Sequence, residues 1–233
     1  MASGRILTNN DIVKIAAAAD NRNKKQHILL HCCCAPCASY VIEELSPHYE
    51  LTLFFCNPNI EPEEEFEKRK AEMTKLLHLT QQSAMQPQSQ QQPQSQQPPQ
   101  SQPAPVSPSL IISDYDNESF ASAVSSLREE PEGGERCIIC FYMRLEETAK
   151  TARAAYQSKQ PAYFDYFATT LTVSPHKNAD IINEVGESLA EEYSVKYLRS
   201  DFKKNRGYER SVELSKQLGL YRQNYCGCGK GSV

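Results

Sequence analysis

HILLHCCCAPCASYVIEEL, residues 27–45, decides the fold. Its first five residues are a short apolar run closed by His31, the composition of a buried strand. The run leads directly into a turn crowded with cysteine, and the apolar spacing over 38–45 suits a helix. Before it, DIVKIAAAAD (11–20) predicts a helix opening near Asn9 or Asn10. After it, ELTLFFCNPNI (50–60) predicts a strand that ends in a turn, and residues 62–79 a charged helix with Glu-to-Lys pairs at helical spacing. Further strands are predicted at 110–115, 163–171 and 195–198, with helices at 118–130, 140–156 and 178–193. Strands alternating with helices predict an α/β domain with a mostly parallel sheet flanked by helices.

A chain of 233 residues suits a single domain over 1–233 that carries an insertion. The insertion is residues 81–108, a Gln/Pro-rich stretch with almost no charge and no hydrophobic period. Such a segment buries too little apolar surface to offset the entropy of ordering it, so it is expected to be disordered. No run approaches the roughly 20 apolar residues of a membrane span. The opening MASGRILTNND lacks a basic start followed by an apolar stretch, so no secretory signal is expected. A soluble, cytoplasmic protein without membrane partners is the expectation.

The formal charge of −4 does not advertise a nucleic-acid binder, but its distribution is uneven. From residue 193 onward there are nine Lys and Arg against three acids. This stretch is either an ordinary solvated surface or a phosphate-facing patch.

Nine cysteines, at 32, 33, 34, 37, 56, 137, 140, 226 and 228, carry the chemistry. A cytosolic chain keeps thiols reduced, so a clustered set points to metal binding or catalysis rather than a disulfide framework. In an open α/β sheet, ligands sit outside the carboxyl ends of the strands, where the 27–31 strand delivers its cysteines. Cys33 and Cys34 are adjacent and are not expected to converge easily on one small ion, whereas a four-iron cluster offers separate corners. Cys137 and Cys140 form a C-x-x-C at a helix start, a spacing at which two thiolates meet one centre. Spacing alone leaves three readings open. These are an iron–sulfur cluster, a structural zinc site on Cys34, Cys37, Cys137 and Cys140, and a thioredoxin-like pair at Cys34 and Cys37. Cys226 and Cys228 flank one glycine, and so short a disulfide ring is strained and easily reduced. The same two thiolates could instead hold a metal. Cys32 and Cys56 read as buried bystanders.

HCCCAPC (31–37), FCNPNIEP (55–62), ERCIICFYMRLEETA (135–149), FATTLTVSPHKN (167–178) and the stretch 201–228 ending in NYCGC together resemble the epoxyqueuosine reductases of the QueH type. The resemblance runs from about residue 27 to 228. It departs from the family pattern at Cys32, an extra cysteine, and at the Gln/Pro insertion. It implies a fold similar to the adenine nucleotide hydrolase-like, Rossmann-like domains, with CCCAPC where such relatives carry a glycine-rich phosphate loop, and so no ATP requirement.

The resemblance further implies a [4Fe–4S] cluster on Cys33, Cys34, Cys137 and Cys140. A redox role falls to Cys226 and Cys228, as a reversible disulfide or, with Cys37, as ligands of a second, mononuclear iron. The implied reaction is reduction of epoxyqueuosine to queuosine at the wobble position of tRNA, the last step of queuosine biosynthesis, with electrons from an unidentified donor. An iron on Cys37, Cys226 and Cys228 would act as Lewis acid on the epoxide oxygen. Asp201 and Tyr225 are candidate proton sources, either of which could equally be structural. With tRNA as implied substrate, Lys203, Lys204 and Arg206 become candidate phosphate contacts, Arg222 a weaker one. The segment 169–178 is a candidate lining for the modified base. Two other readings stand against the reductase: a zinc-stabilised tRNA- or protein-binding module, and a thiol–disulfide oxidoreductase using Cys34 and Cys37.

Overall fold

The computed structural model describes residues 25–85, 107–158 and 163–228. Four strands, β1 (Gln26–His31), β2 (Tyr49–Phe55), β3 (Ser109–Ile112) and β4 (Tyr166–Thr169), form one all-parallel sheet in the order β3-β2-β1-β4. Six α-helices flank it: α1 (Ala35–Leu45), α2 (Glu63–Met85), α3 (Asn117–Ala123), α4 (Glu135–Gln157), α5 (Ala179–Tyr193) and α6 (Gly207–Gln217). The α/β class and the parallel sheet are as the sequence predicts, in a Rossmann-like arrangement. Strand order runs outward from β1 to β3 and then jumps back to β4. The chain therefore reverses direction across the sheet between β1 and β4, and a crevice opens at the carboxyl ends of those strands.

Alternation along the strands sorts the core into two layers. Ile28, Leu30, Leu51, Leu53 and Phe55 pack beneath Ala38, Val41 and Leu45 of α1, Phe66 and Met73 of α2, and Leu214 of α6. On the other face Leu29, Phe54 and Phe167 meet Phe141, Leu145 and Ala149 of α4 and Ile182 and Leu189 of α5. Each such side chain contributes roughly 1.5–3 kcal/mol on full burial, which makes β1 and its neighbours the rigid base of the crevice.

Several element bounds differ from the sequence reading. Helix α1 starts at Ala35, not 38, with Cys34 as its extended N-cap. The charged helix runs on to Met85, so residues 81–85 of the expected insertion are helical. Residues 86–106 of it, like the helix expected over 11–20, lie outside the described residues. Strand β4 is shorter than predicted because the Thr169 hydroxyl accepts from Leu171 N and winds the chain into a 3-10 turn, Thr170–Val173. Residues 195–198 make only a single bridge, Phe167 to Tyr197, beside β4. The helix predicted over 118–130 ends at Ala123 and gives way to a 3-10 turn, Ser125–Leu127.

Helix α6 was not among the predicted elements, since Val212, Leu214 and Leu218 are too few to draw a periodic stripe. It seats against α1 at Gly207, where a Cβ would overlap Phe202 O and the Tyr40 ring. Beyond α6 the described residues form no helix or strand and follow α2 along its length. Lys75 Nζ donates to Gly219 O at 2.6 Å, Tyr221 N to Glu72 at 2.9 Å, and Glu61 N to Gly227 O at 2.7 Å. The charged face of α2 is thus a rail that guides the C-terminal segment back to the crevice. Among the described residues no helix is long and apolar enough to cross a membrane.

Candidate active site

The crevice begins at the end of β1. The chain bends at Cys33, is extended at Cys34 (φ −170°, ψ 161°), and enters α1 at Ala35, two residues before Cys37. Asn57, in the turn after β2, donates to Cys32 O at 2.9 Å, and Thr170, just past β4, accepts from Cys33 N at 3.1 Å. The sulfurs of Cys33, Cys34 and Cys37 all lie within 4.8 Å of one another, those of Cys33 and Cys34 at 3.8 Å. Adjacency therefore does not keep Cys33 and Cys34 apart, contrary to the expectation from sequence. The bend and the extended cap turn both thiols to one side.

A single negative charge settles most readily on Cys33. Thiols of Cys34 and Cys37 donate to its sulfur, and Arg144 and Lys177 add positive charge, which together hold it well below the usual thiol range. Cys34 is pushed up to about 11 and Cys37 well above its ordinary value, first because each donates to Cys33. Cys32 and Cys56 are buried, and burial raises both, so they stay neutral, as bystanders should.

Cys137 and Cys140 sit in the first turns of α4, which rises from Gly134. Gly133 N donates to Cys137 Sγ at 3.2 Å, and Arg144 Nη1 to Cys140 Sγ at 3.7 Å. Burial raises Cys140 to about 11. The C-terminal segment brings the last pair. Arg69, 3% exposed, donates to Cys226 O at 3.0 Å and to Tyr225 O at 3.2 Å, with Glu65 at 2.7 Å balancing its charge. Gly227, at φ +114°, lies so near that a Cβ would sit 3.1 Å from Arg69 Nη1. Cys228 donates to Cys226, and with help from Lys177 and Arg144 this lowers Cys226 to about 5.

Two adjoining cavities gather these groups. Cys33, Cys34, Cys37 and Cys226 line one cleft, while Cys137, Cys140, Cys226 and Cys228 line a smaller one beside it. Cys226, His176 and Lys177 belong to both. Cys37 therefore stands beside Cys33 and Cys34, and Cys226 links that trio to the C-x-x-C of α4.

Behind the thiols lies a buried polar relay that sequence reading did not single out. Arg144, 2% exposed, donates to Asn57 Oδ1. Its Nε lies 3.3 Å from His31 Nε2, which also lies 3.1 Å from Cys56 O. One nitrogen cannot serve both, and the shorter contact places the proton on Nε2, leaving Nδ1 to accept from Thr169 at 2.8 Å. Burial, with Arg144 beside it, lowers His31 to about 3, so the ring is neutral. Arg144 falls within the 135–149 motif, but nothing in that motif marks it as facing the cysteines. Its register, four residues after Cys140 on one helix face, was the available signal.

The other expected residues divide. Ser174, His176 and Lys177, from the 169–178 segment, line the cleft, as do Tyr225 and Arg222. Asp201 is buried away from both cavities and pairs with Lys203 at 3.0 Å and Lys204 at 3.4 Å. Those two lysines are thus tethered, while Arg206 is exposed at the start of α6.

Seven cysteines around one crevice form a soft donor set suited to an iron–sulfur cluster or zinc and ill suited to magnesium or calcium. The trio fits a metal on a second ground: three sulfurs are crowded together with two cations, Arg144 and Lys177, facing them.

Compared with known proteins, the chain matches the family model for epoxyqueuosine reductase QueH over residues 28–231. It is 39% identical to epoxyqueuosine reductase QueH of Streptococcus pyogenes serotype M1 over 194 residues, covering 83% of this chain and 66% of that protein. The Staphylococcus epidermidis relative is 37% identical, with 83% and 71% covered, and the Thermotoga maritima relative 32%, with 82% and 84%. The chain belongs to the epoxyqueuosine reductase QueH family.

Proposed function

We propose that this member of the QueH family reduces epoxyqueuosine to queuosine in tRNA. The relatives it matches are named for that activity. The observation that carries the reading is the convergence of Cys33, Cys34, Cys37, Cys137, Cys140, Cys226 and Cys228 on two linked cavities at the sheet's switch point. Cys33, Cys34, Cys137 and Cys140 would hold a [4Fe–4S] cluster, which supplies electrons one at a time. Cys37, Cys226 and Cys228 remain as a redox group or as ligands of a second iron.

Both C–O bonds of the epoxide break, the oxygen leaves as water, and a carbon–carbon double bond forms. This takes two electrons and two protons. Oxidation of the Cys226 thiolate and the Cys228 thiol to a disulfide releases two electrons and one proton, so with the second proton drawn from solvent the pair balances one turnover and must then be reduced by the electron donor. Hydrogen bonds from neighbouring thiols, with help from Arg144 and Lys177, keep Cys33 and Cys226 in the anionic, reactive form. Neutral His31 accepts from Thr169, donates to Cys56 O and gives up no proton near neutral pH. Tyr225, at the wall of the cleft, is better placed than Asp201 to pass a proton to the departing oxygen. Lys203, Lys204 and Arg206 would meet the tRNA backbone, with Arg206 the freest of the three.

Anaerobic purification followed by iron, sulfide and zinc analysis tests the proposal. About four irons and four sulfides in a brown protein, with further iron marking a second site, support it. A colourless protein that holds zinc alone after attempted reconstitution contradicts it and favours the zinc-stabilised binding module. Retained turnover in Cys226→Ser or Cys228→Ser contradicts the dithiol step.

A further inference from the structure

Among the described residues three arginines are almost fully buried, and two have clear partners. Arg69 has Glu65 and two carbonyls, and Arg144 has Asn57 and Cys140. The third, Arg136, is 4% exposed, and its Nε and Nη2 have no hydrogen-bond partner. It makes no ion pair among the described residues. A buried cation without a counter-charge is strongly unfavourable. Arg136 lines the same void as Cys137, Cys140, Cys226 and Cys228. Glu132 lines that void too but makes no bond to it. A buried guanidinium with two idle donors, set among four sulfurs, is matched when an anionic centre occupies their side of the crevice.

We infer that Arg136 is the counter-charge of the thiolate-held centre at Cys137 and Cys140, and that it favours the reduced form of that centre. This rests on the proposed iron–sulfur reading. Each electron added makes the centre more negative, and hydrogen bonds to its sulfurs stabilise the added charge. In the metal-free chain the same arginine is a liability. Its effect therefore changes sign with loading, which a residue that merely supports the fold does not do.

The test compares full-length wild type with R136M and R136K, metal-free and anaerobically reconstituted, by thermal melting and by dye-mediated redox titration. Metal-free R136M melts at or above wild type, and loading raises its melting point less than it raises that of wild type. At a fixed potential its reduced-to-oxidised ratio falls about tenfold, about 59 mV for a one-electron couple. R136K, which keeps the charge without the planar fork, lies between the two. A potential and a loading-induced rise in R136M equal to those of wild type overturn the inference. If R136M does not fold, neutral R136Q takes its place, and failure of both to fold without metal also overturns it. A wild type that takes up zinc but no iron–sulfur centre defeats the reductase reading instead. The Arg136 comparison then runs on the rise in melting that zinc produces.

Discussion

The two thiol-bearing ends of the crevice are built in opposite ways. Cys33 and Cys34 lie between β1 and α1 and Cys37 in the first turn of α1, directly after a strand paired on both sides and buried on both faces. Cys226 and Cys228 stand on a segment with no helix or strand of its own, held by single polar contacts from Arg69 and Glu61. The first end is fixed by the core and moves only if the sheet does. The second depends on a few hydrogen bonds and one glycine, so it can open without unfolding the domain. On the proposed mechanism the site retains a metal centre and cycles a dithiol, which gives it reason to be rigid at one end and releasable at the other.

That contrast can be broken most sharply by chemistry. Cys33→Ser should abolish both the visible colour and turnover, read by absorbance and by nucleoside analysis of treated tRNA. Arg69→Met should leave the iron content intact while turnover falls about 10- to 100-fold, as when an outer-shell partner is lost. Iron lost from Arg69→Met in step with activity would erase the distinction between the two ends.

Gly227→Ala should cost about 1–3 kcal/mol through its positive φ and the nearby Arg69. The cost should stay local, with hydrogen exchange faster at Glu61 N and along 225–228 and little change in β1.

His31 sharpens the comparison from the rigid side. Its folded pKa of about 3 lies below the ordinary 6.5, so the unfolded chain binds the extra proton first. Its contribution is therefore fully present above about pH 6.5 and is lost as pH falls towards 3, by at most about 1.4 kcal/mol per pH unit. Denaturant melts of metal-free wild type against His31→Asn should show an advantage that narrows only in that window. Smallest of all, Arg210→Ala removes an exposed pair with Glu43 between α6 and α1 and should leave melting and turnover unchanged.

The same contrast explains what could be read without a structure. The rigid end was legible because residues 27–45 announce strand, turn and helix in consecutive residues, and because the C-x-x-C of α4 is a local pattern. The releasable end was visible only as a pair of cysteines. Its support comes from Arg69, Glu65 and Glu72, some 150 residues earlier, on a helix whose charges looked like ordinary Glu-to-Lys pairs. Asp201 is the converse case, a candidate proton source that the sequence left equally open to a structural role. Its place inside a motif suggested chemistry, whereas it holds Lys203 and Lys204. Arg136 and Arg144 were hidden because burial, not residue type, is what gives an arginine meaning, and burial of one helix face beside a cleft is a tertiary property.

The most direct measurement is single-turnover conversion of epoxyqueuosine-bearing tRNA by the anaerobically reconstituted, reduced protein, followed by mass analysis of the released nucleosides. The account predicts queuosine, one oxygen lighter, in amounts that track the iron content of the preparation and vanish in Cys33→Ser. A fully loaded, reduced protein that leaves epoxyqueuosine unchanged, or a zinc-only protein that converts it equally well, would contradict it.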